Sequence, residues 1–275
     1  MLRSIVEREA AKGVEPTRVL RELLHKLVIY ALAQLGLYER YTLQGGAALR
    51  LFYGSPRFSL DLGFTLSGPI NDSLSHAGRL GRVLSRVLAP DGIGVSISSQ
   101  RLDEAGGFHR YFLTFGAEGL VGRRIRVKVE VFSRSYHTPF FEDRALTVVY
   151  PVQTAVGIRV KKAGCILADK VCSLAGAWRR GFVRWRDIFD VYWLVKHSGA
   201  QLDESYLKEE FGTYLERPHD LIELTAHLKA GGGLLEAAEK ELSRLLNPLL
   251  LQRELLERYL EAAIAVLEEA VRVVL

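Results

Sequence analysis

The sequence predicts an α+β fold in which a mixed sheet flanked by helices is followed by a helical C-terminal domain. Apolar and polar residues alternate in short segments of the first part of the chain, which is the period of half-buried strands. From residue 163 onward, apolar residues recur at helical spacing. This order predicts two domains, residues 1–160 and 161–275.

In the N-terminal domain, helices are expected to alternate with strands. Helices are predicted over 16–37, 47–53 and 72–89. The alternation predicts six strands, over 41–44, 60–66, 93–101, 108–116, 124–132 and 144–150. In the second strand, one face is expected to consist of Leu60, Leu62, Phe64 and Leu66, and the other of Asp61, Gly63 and Thr65.

The C-terminal domain is expected to be entirely helical. The predicted helices cover 163–179, 185–198, 203–215, 220–229, 234–246 and 249–275. The glycine run 231–233 separates the last of these and is interpreted as a possible hinge. Cys165 and Cys172 would lie two helical turns apart, beyond disulfide reach, and both are expected to be buried.

Composition and charge limit the partners, the location and the source that can be expected for the protein. The 275 residues carry a formal charge of +5 and a pI of about 9.2, which permits a phosphate-bearing partner without requiring one. No apolar run reaches the roughly 18–20 residues of a membrane span, and the first residues are not those of a signal segment, so a cytoplasmic location is expected. Asparagine occurs only at Asn71 and Asn247, a scarcity that favours a thermophilic source.

Gly45 and Gly46 stand between a predicted strand and a predicted helix. Paired glycines allow the backbone to approach an anion closely, and the amide groups of a helix N-terminus point toward such an anion. A tight turn without a ligand is the alternative interpretation.

Two acidic residues lie on predicted strands. Metal-dependent phosphoryl transfer commonly uses two carboxylates at i and i+2 of one strand, but Asp61 is followed at i+2 by Gly63. Glu130 shares its strand face with Arg126 and Lys128. Each carboxylate is therefore a candidate metal ligand, and an ordinary ion-paired or surface residue is the alternative.

A third group falls on the C-terminal helices. Asp187 and Asp190 are three residues apart and share a helix face, and Lys170 on the preceding helix is placed to meet them. A helix hairpin with ordinary salt bridges is the alternative.

Together, in their order along the chain, these segments resemble the AbiEii-type nucleotidyltransferase toxins. The resemblance rests on Leu43–Leu51 with Ser55–Phe64, on Arg126–Phe132, and on Lys170 followed by Arg186–Asp190. It covers about residues 20–200 and implies a nucleotidyltransferase fold similar to the catalytic core of DNA polymerase beta.

The sequence departs from the family pattern at two positions. Ala47 stands where the family has serine or threonine after Gly-Gly, so a hydroxyl for a phosphate is missing. Gly63 stands where the family has the second aspartate of Asp-x-Asp. Neither residue is expected to hold the core, so the fold prediction is independent of both.

The resemblance implies transfer of a nucleotide from a nucleoside triphosphate, with Mg²⁺, to an acceptor such as tRNA, and restraint by a cognate antitoxin. It assigns metal binding to Asp61 and Glu130, catalysis to these two with Lys170 and Asp187, and nucleotide binding to Gly45, Gly46, Arg57, Lys170 and Asp190. Asp187 and Asp190 would hold Lys170 or Arg57 in place.

Six further arginines are candidates for steering an RNA backbone, with a plain basic surface as the alternative: Arg123, Arg124, Arg126, Arg179, Arg180 and Arg184. Two functional hypotheses remain open. The protein is a working transferase with a reduced metal site, or it is a degenerate relative that binds nucleotide, RNA or a protein partner without turnover.

Overall fold

A computed structural model describes residues 1–214, 217–231 and 233–275 of the chain. Contacts divide these residues into two compact units. The first unit consists of Met1–Ala48, Phe58–Ser135 and Phe141–Val160. The second consists of Leu49–Arg57, Tyr136–Phe140 and Lys161–Leu275, so two short segments from the first part of the chain belong to the helical unit.

The first unit is built on a mixed sheet, as the sequence predicts, but the sheet has seven strands where six were expected. Its strands are β1 (Tyr41–Gln44), β2 (Asp61–Leu66), β3 (Val95–Asp103), β4 (Phe108–Phe115), β5 (Ile125–Ser133), β6 (Phe141–Val148) and β7 (Thr154–Lys161). Its helices are α1 (Leu2–Ala10), α2 (Pro16–Gln34), α4 (Asp72–Leu88) and α5 (Glu118–Val121), and α3 (Gly45–Phe52) begins in it.

The strand order is β3-β4-β5-β2-β1-β7-β6. The β2–β5 and β1–β7 pairs are parallel, while β1–β2, β3–β4 and β4–β5 are antiparallel. The chain therefore leaves β2, forms α4 and the β3–β4 hairpin, and returns to lay β5 beside β2. Helices α2 and α4 pack against this sheet.

One face of the central strands forms the core of the first unit. Leu62 and Phe64 of β2 and Val127, Val129 and Val131 of β5 are fully buried. Residues on the other face are half-buried, and these carry the polar groups of interest. The expected alternation fails at its two ends: Leu60 precedes the strand and is 49% exposed, and Thr65 is buried.

The second unit is helical. After α3 it contains α6 (Ala163–Arg179), α7 (Trp185–His197), α8 (Glu204–Tyr214), α9 (Pro218–Ala230), α10 (Leu234–Leu242) and α11 (Arg253–Val274). Helix α6 packs on α7 and α8, and α11 packs on α7, α8 and α9. Among the described residues, Cys165 and Cys172 are not joined by a disulfide, and both are buried, as predicted. Within the residues described, no helix is long and apolar enough to cross a membrane.

Several predicted boundaries shift. The strand expected over 144–150 is β6, which begins at Phe141 and ends at Val148, and neither α1, α5 nor β7 was predicted. Residue 215, expected at the end of a helix, and residue 232, at the centre of the predicted hinge, lie outside the described residues.

Candidate functional site

The Gly45–Gly46 pair forms the first turn of α3, immediately after β1. Gly45 has φ of +67°, a left-handed conformation that a side chain strains. The expected glycine turn is thus the start of the helix itself. The next residue, Ala47, is buried, so the expectation that residue 47 plays no part in the core is wrong.

Asp61 and Glu130 lie on neighbouring parallel strands. In the β2–β5 register Asp61 is opposite Lys128, and Gly63 is opposite Glu130. Because side chains at i and i+2 point to the same side of a strand, all four positions share the half-buried face of the sheet. The structure therefore brings the two candidate carboxylates together and places Gly63 beside them.

The Lys128 ammonium lies between the two carboxylates. Its Nζ is 3.0 Å from Oδ2 of Asp61 and 3.5 Å from Oε1 of Glu130. Oε1 of Glu130 also accepts hydrogen bonds from Nε and Nη2 of Arg110, at 2.9 and 2.7 Å. The ion-pair interpretation of Glu130 is therefore realised, with one partner on its own strand and one on β4.

This donor set does not fit a pair of divalent cations. A two-metal site needs carboxylates that bridge ions about 3.5–4 Å apart. Here Gly63 supplies no carboxylate, and Asp61 and Glu130 already share an ammonium. In the described part of the chain, no three histidine, cysteine, aspartate or glutamate side chains are grouped so as to hold a metal. The metal-ligand roles of Asp61 and Glu130 stay predictions.

The second polar cluster joins α6 to α7. Nζ of Lys170 is 2.7 Å from Oδ1 of Asp187 and 2.8 Å from Oδ2 of Asp190. Both carboxylates are buried, and the lysine side chain is 12% exposed. The i, i+3 spacing of the two aspartates puts them on one helix face, where a single ammonium reaches both.

Further groups hold these carboxylates in place. Arg57 donates from Nε and Nη2 to the two oxygens of Asp190, both at 2.8 Å, in a buried bidentate pair. Asp187 accepts from Ser173 at 2.8 Å and pairs with Arg184 at 3.1 Å. Every described contact of this cluster lies within the second unit.

Burial and charge act in opposite directions on Asp187. Burial alone would raise its pKa, but the ammonium of Lys170 and the guanidinium of Arg184 outweigh it, and the pKa lies well below its usual range. A carboxylate so fully ionised and so fully engaged is a poor proton acceptor. Its geometry suits the positioning of Lys170, a cation able to contact a phosphate.

Asp169, next to Lys170 in the sequence, belongs to a different network. It accepts from the buried Lys161 at 2.9 Å, and Lys161 also donates to the hydroxyl of Tyr206 at 2.8 Å. Sequence reasoning missed this pair, and it also missed Arg110 as a partner of Glu130 and Lys128 as a partner of Asp61. It did place Lys128 on the face of Glu130, where an ion pair was one interpretation.

The six arginines considered for RNA steering mostly have acidic partners. Arg123 pairs with Glu15, Arg124 with Glu118, Arg179 with Asp220 and Arg184 with Asp187. The two others lie over aromatic rings, Arg126 over Phe112 and Arg180 over Phe182. Much of their charge is therefore balanced locally.

Comparison with known proteins decides the family. The sequence matches the family described as "Nucleotidyl transferase AbiEii toxin, Type IV TA system" over residues 27–268. The chain belongs to this family. Its AbiEii membership confirms the resemblance found in the sequence, and the α+β architecture agrees with it. No curated protein matches the chain.

Solved structures share the AbiEii-type fold of this chain. An H. pylori protein described as a nucleotidyltransferase is 22% identical with a TM-score of 0.56, over 93% of this chain and 95% of its own. JHP933 from Helicobacter pylori is 20% identical with a TM-score of 0.55, over 94% and 93%. MenT4, a nucleotidyltransferase toxin from Mycobacterium tuberculosis, is 17% identical with a TM-score of 0.58, over 99% and 98%. At these identities the likeness shows the fold alone.

Proposed function

We propose that this protein is a nucleotidyltransferase toxin that transfers a nucleotide from a nucleoside triphosphate to the end of a tRNA, and that a cognate antitoxin restrains it. In such a transfer an acceptor oxygen bonds to the α-phosphorus while the bond to pyrophosphate breaks. The proposal is carried by the Lys170 cluster, in which two buried carboxylates hold one ammonium within a family of nucleotidyltransferases.

In this function each element of the cluster has a separate part. Lys170 binds a phosphate of the nucleotide as a point charge. Asp187 and Asp190 are positioning residues that fix the ammonium, and Arg57 fixes Asp190 through its bidentate pair. Separately, in the first unit, the amide groups of Gly45 and Gly46 at the start of α3 favour binding of a phosphate, since a helix N-terminus favours an anion.

A second candidate function is nucleotide or RNA binding without turnover. It is favoured by the group of Asp61, Lys128 and Glu130, which we call the sheet cluster. There Gly63 stands where the family has a second carboxylate, and the Lys128 ammonium lies between the two candidate metal ligands. The retained Lys170 cluster supports the transferase instead, because a fully decayed site would be expected to lose it.

Incubation of the protein with each labelled nucleoside triphosphate, Mg²⁺ and either purified tRNA or ribosomal RNA separates the two. For the transferase we expect label on tRNA, and loss of that label with Lys170→Ala. Nucleotide affinity in calorimetry should fall about tenfold to hundredfold in the same variant, because one charge-assisted contact is removed. Lys196→Ala, an exposed lysine of α7, is the matched control.

Each result assigns one function. Binding without label transfer at any nucleotide supports the second candidate. Label on ribosomal RNA but not on tRNA overturns the proposed acceptor and keeps the activity. No binding of any nucleoside triphosphate and no transfer contradicts the transferase and the nucleotide-binding form of the second candidate.

A further inference from the structure

The sheet cluster has a feature that nucleotide transfer does not explain: the cation that pairs with its carboxylates is a side chain of the protein, Lys128. Lys128 is directly opposite Asp61 across the parallel β2–β5 pair, and Glu130 is two residues further along the same strand. The backbone register therefore delivers one ammonium to both carboxylates, at 3.0 and 3.5 Å. The lysine side chain is 28% exposed, so it has room to move outward.

The same oxygen of Glu130 receives several donors. Oε1 faces Nε and Nη2 of Arg110 as well as the Lys128 ammonium. Arg110 is opposite Glu130 in the β4–β5 register, so this contact too is set by the sheet. A carboxylate oxygen has two lone pairs, and a divalent cation would have to compete for them.

We propose that Lys128 is the resident cation of the Asp61–Glu130 pair, and that a divalent cation binds these carboxylates only by displacing it. The ammonium neutralises the like charges of the two carboxylates, as a metal ion does in a phosphoryl-transfer site. Cation binding at this position is therefore weak in the wild-type protein. The proposal rests on the proposed function only for the relevance of a divalent cation, and it does not depend on turnover.

The test is calorimetric titration of the full chain with Mn²⁺, an oxygen-binding divalent ion. Lys128→Met keeps the length of the side chain and removes its charge. We expect Mn²⁺ to bind this variant at least about tenfold more tightly than wild type, since an ion pair no longer has to be broken and the repulsion between cations is gone. Adding Asp61→Asn to Lys128→Met should remove the gain.

Lys26→Met is the matched control. Lys26 pairs with Glu22 at 3.4 Å and its side chain is 26% exposed, but it has one acidic partner on its own helix. We expect no change in Mn²⁺ affinity from it. Thermal melts of all variants verify folding.

Two results would overturn the proposal. The first is a folded Lys128→Met variant that binds Mn²⁺ no more tightly than wild type. The second is a wild-type protein that binds Mn²⁺ with a Kd below about 10 µM, an affinity typical of dedicated sites, and that loses this binding in Asp61→Asn. That result would show that the carboxylates are open to the metal while Lys128 is present. Neither result depends on transfer activity, so failure of the proposed function is read separately from the tRNA assay.

Discussion

Gly63 offers a direct way to change the chemistry of the sheet cluster. It lies opposite Glu130, its φ is not positive, and a Cβ added there would come no closer than 3.4 Å to another atom, the Cγ of Gln44. An aspartate therefore fits the strand without backbone strain. Its carboxylate would join those of Asp61 and Glu130 on one face.

We expect Gly63→Asp to raise nucleotide transfer by roughly 10²–10³, the usual effect of one preorganised stabilising group in a transition state. The measurement compares wild type, Gly63→Asp and Gly63→Asp with Asp61→Ala in the labelled-nucleotide assay, with melts as a folding control. A folded Gly63→Asp protein that is no faster than wild type would show that residue 63 is not the missing ligand. The double variant should lose the gain.

His25 makes the stability of the first unit depend on pH. The side chain is buried on α2, and burial lowers its pKa from about 6.5 to about 3. Below pH 6.5, His25 is protonated in the unfolded chain but stays neutral in the folded chain. The contribution of neutral His25 to the free energy of unfolding is therefore fully present above pH 6.5 and is lost as the pH falls toward 3.

At about 1.4 kcal/mol per pKa unit, protonation of His25 in the unfolded chain should lower the free energy of unfolding by about 3 kcal/mol as the pH falls from 6.5 to 4. Urea denaturation at a series of pH values measures this slope. His25→Gln should remove that share of the slope, whereas His227→Gln, at an exposed position of α9, should leave it unchanged. Equal slopes in wild type and His25→Gln would contradict the assignment.

At the scale of elements, one buried carboxylate ties α6, α7 and the segment before β2 together within the second unit. Asp190 of α7 accepts both nitrogens of Arg57 and lies 2.8 Å from Lys170 of α6. Removing one member of a buried ion-pair network leaves the others without compensation. The cluster is therefore expected to contribute to the stability of the second unit.

We expect Asp190→Asn to lower the unfolding free energy by about 3–5 kcal/mol. Glu257→Gln on α11 should change it by less than about 1 kcal/mol, because its pair with Arg253 is exposed. Chemical denaturation followed by far-UV circular dichroism gives both values. A loss for Asp190→Asn as small as that of the control would mean that Arg57 and Lys170 find other partners.

The helices from α6 onward could be predicted closely from sequence, because apolar residues recur at helical spacing over nine or more positions in each. The bounds of α6 match the prediction, Ala163–Arg179. The elements that were missed are short or carry weak signals. Helix α1 buries only Leu2, Ile5 and Val6, and β7 has the alternating Val156, Ile158 and Val160 but follows a proline-containing loop.

The contact of Lys170 with Asp187 and Asp190 could be predicted from sequence, but the contact of Lys128 with Asp61 could not. Lys170, Asp187 and Asp190 fall on adjacent helices, so helical periodicity brings them together. The contact of Lys128 with Asp61 depends on the register of two parallel strands that are separated along the chain by α4 and a hairpin. Local patterns set which side chains share a face, and long-range register sets which of them meet.

For the whole molecule, charge balance would limit the affinity of the proposed RNA binding. The net charge is +5, yet four of the six candidate arginines are paired with acidic side chains. A single-stranded contact contributes about −0.7 per phosphate to the slope of log affinity against log salt, and a duplex contact about −0.9. Six unpaired arginines would give a slope near −4 to −5.

We expect the tRNA affinity of the wild-type protein to fall with salt at a slope nearer −2, measured by filter binding between 50 and 200 mM. Arg180→Gln, at the arginine over Phe182, should make the slope shallower by about 1. Arg124→Gln, at the arginine paired with Glu118, should change it less. A flat salt response would leave these arginines as an ordinary basic surface.

The parallel pairing of β2 with β5 also sets the stage of synthesis at which the sheet cluster can form. Asp61 is synthesised early, but its partner Lys128 follows only after α4, β3 and β4 have been made. Pairing strands so far apart in the sequence is slow, because the entropy of the intervening chain is lost before the contacts between the strands stabilise the fold. A nascent chain that ends before β5 has neither Lys128 nor Glu130. The pair of carboxylates with its shared ammonium can therefore assemble only after synthesis has passed the end of β5.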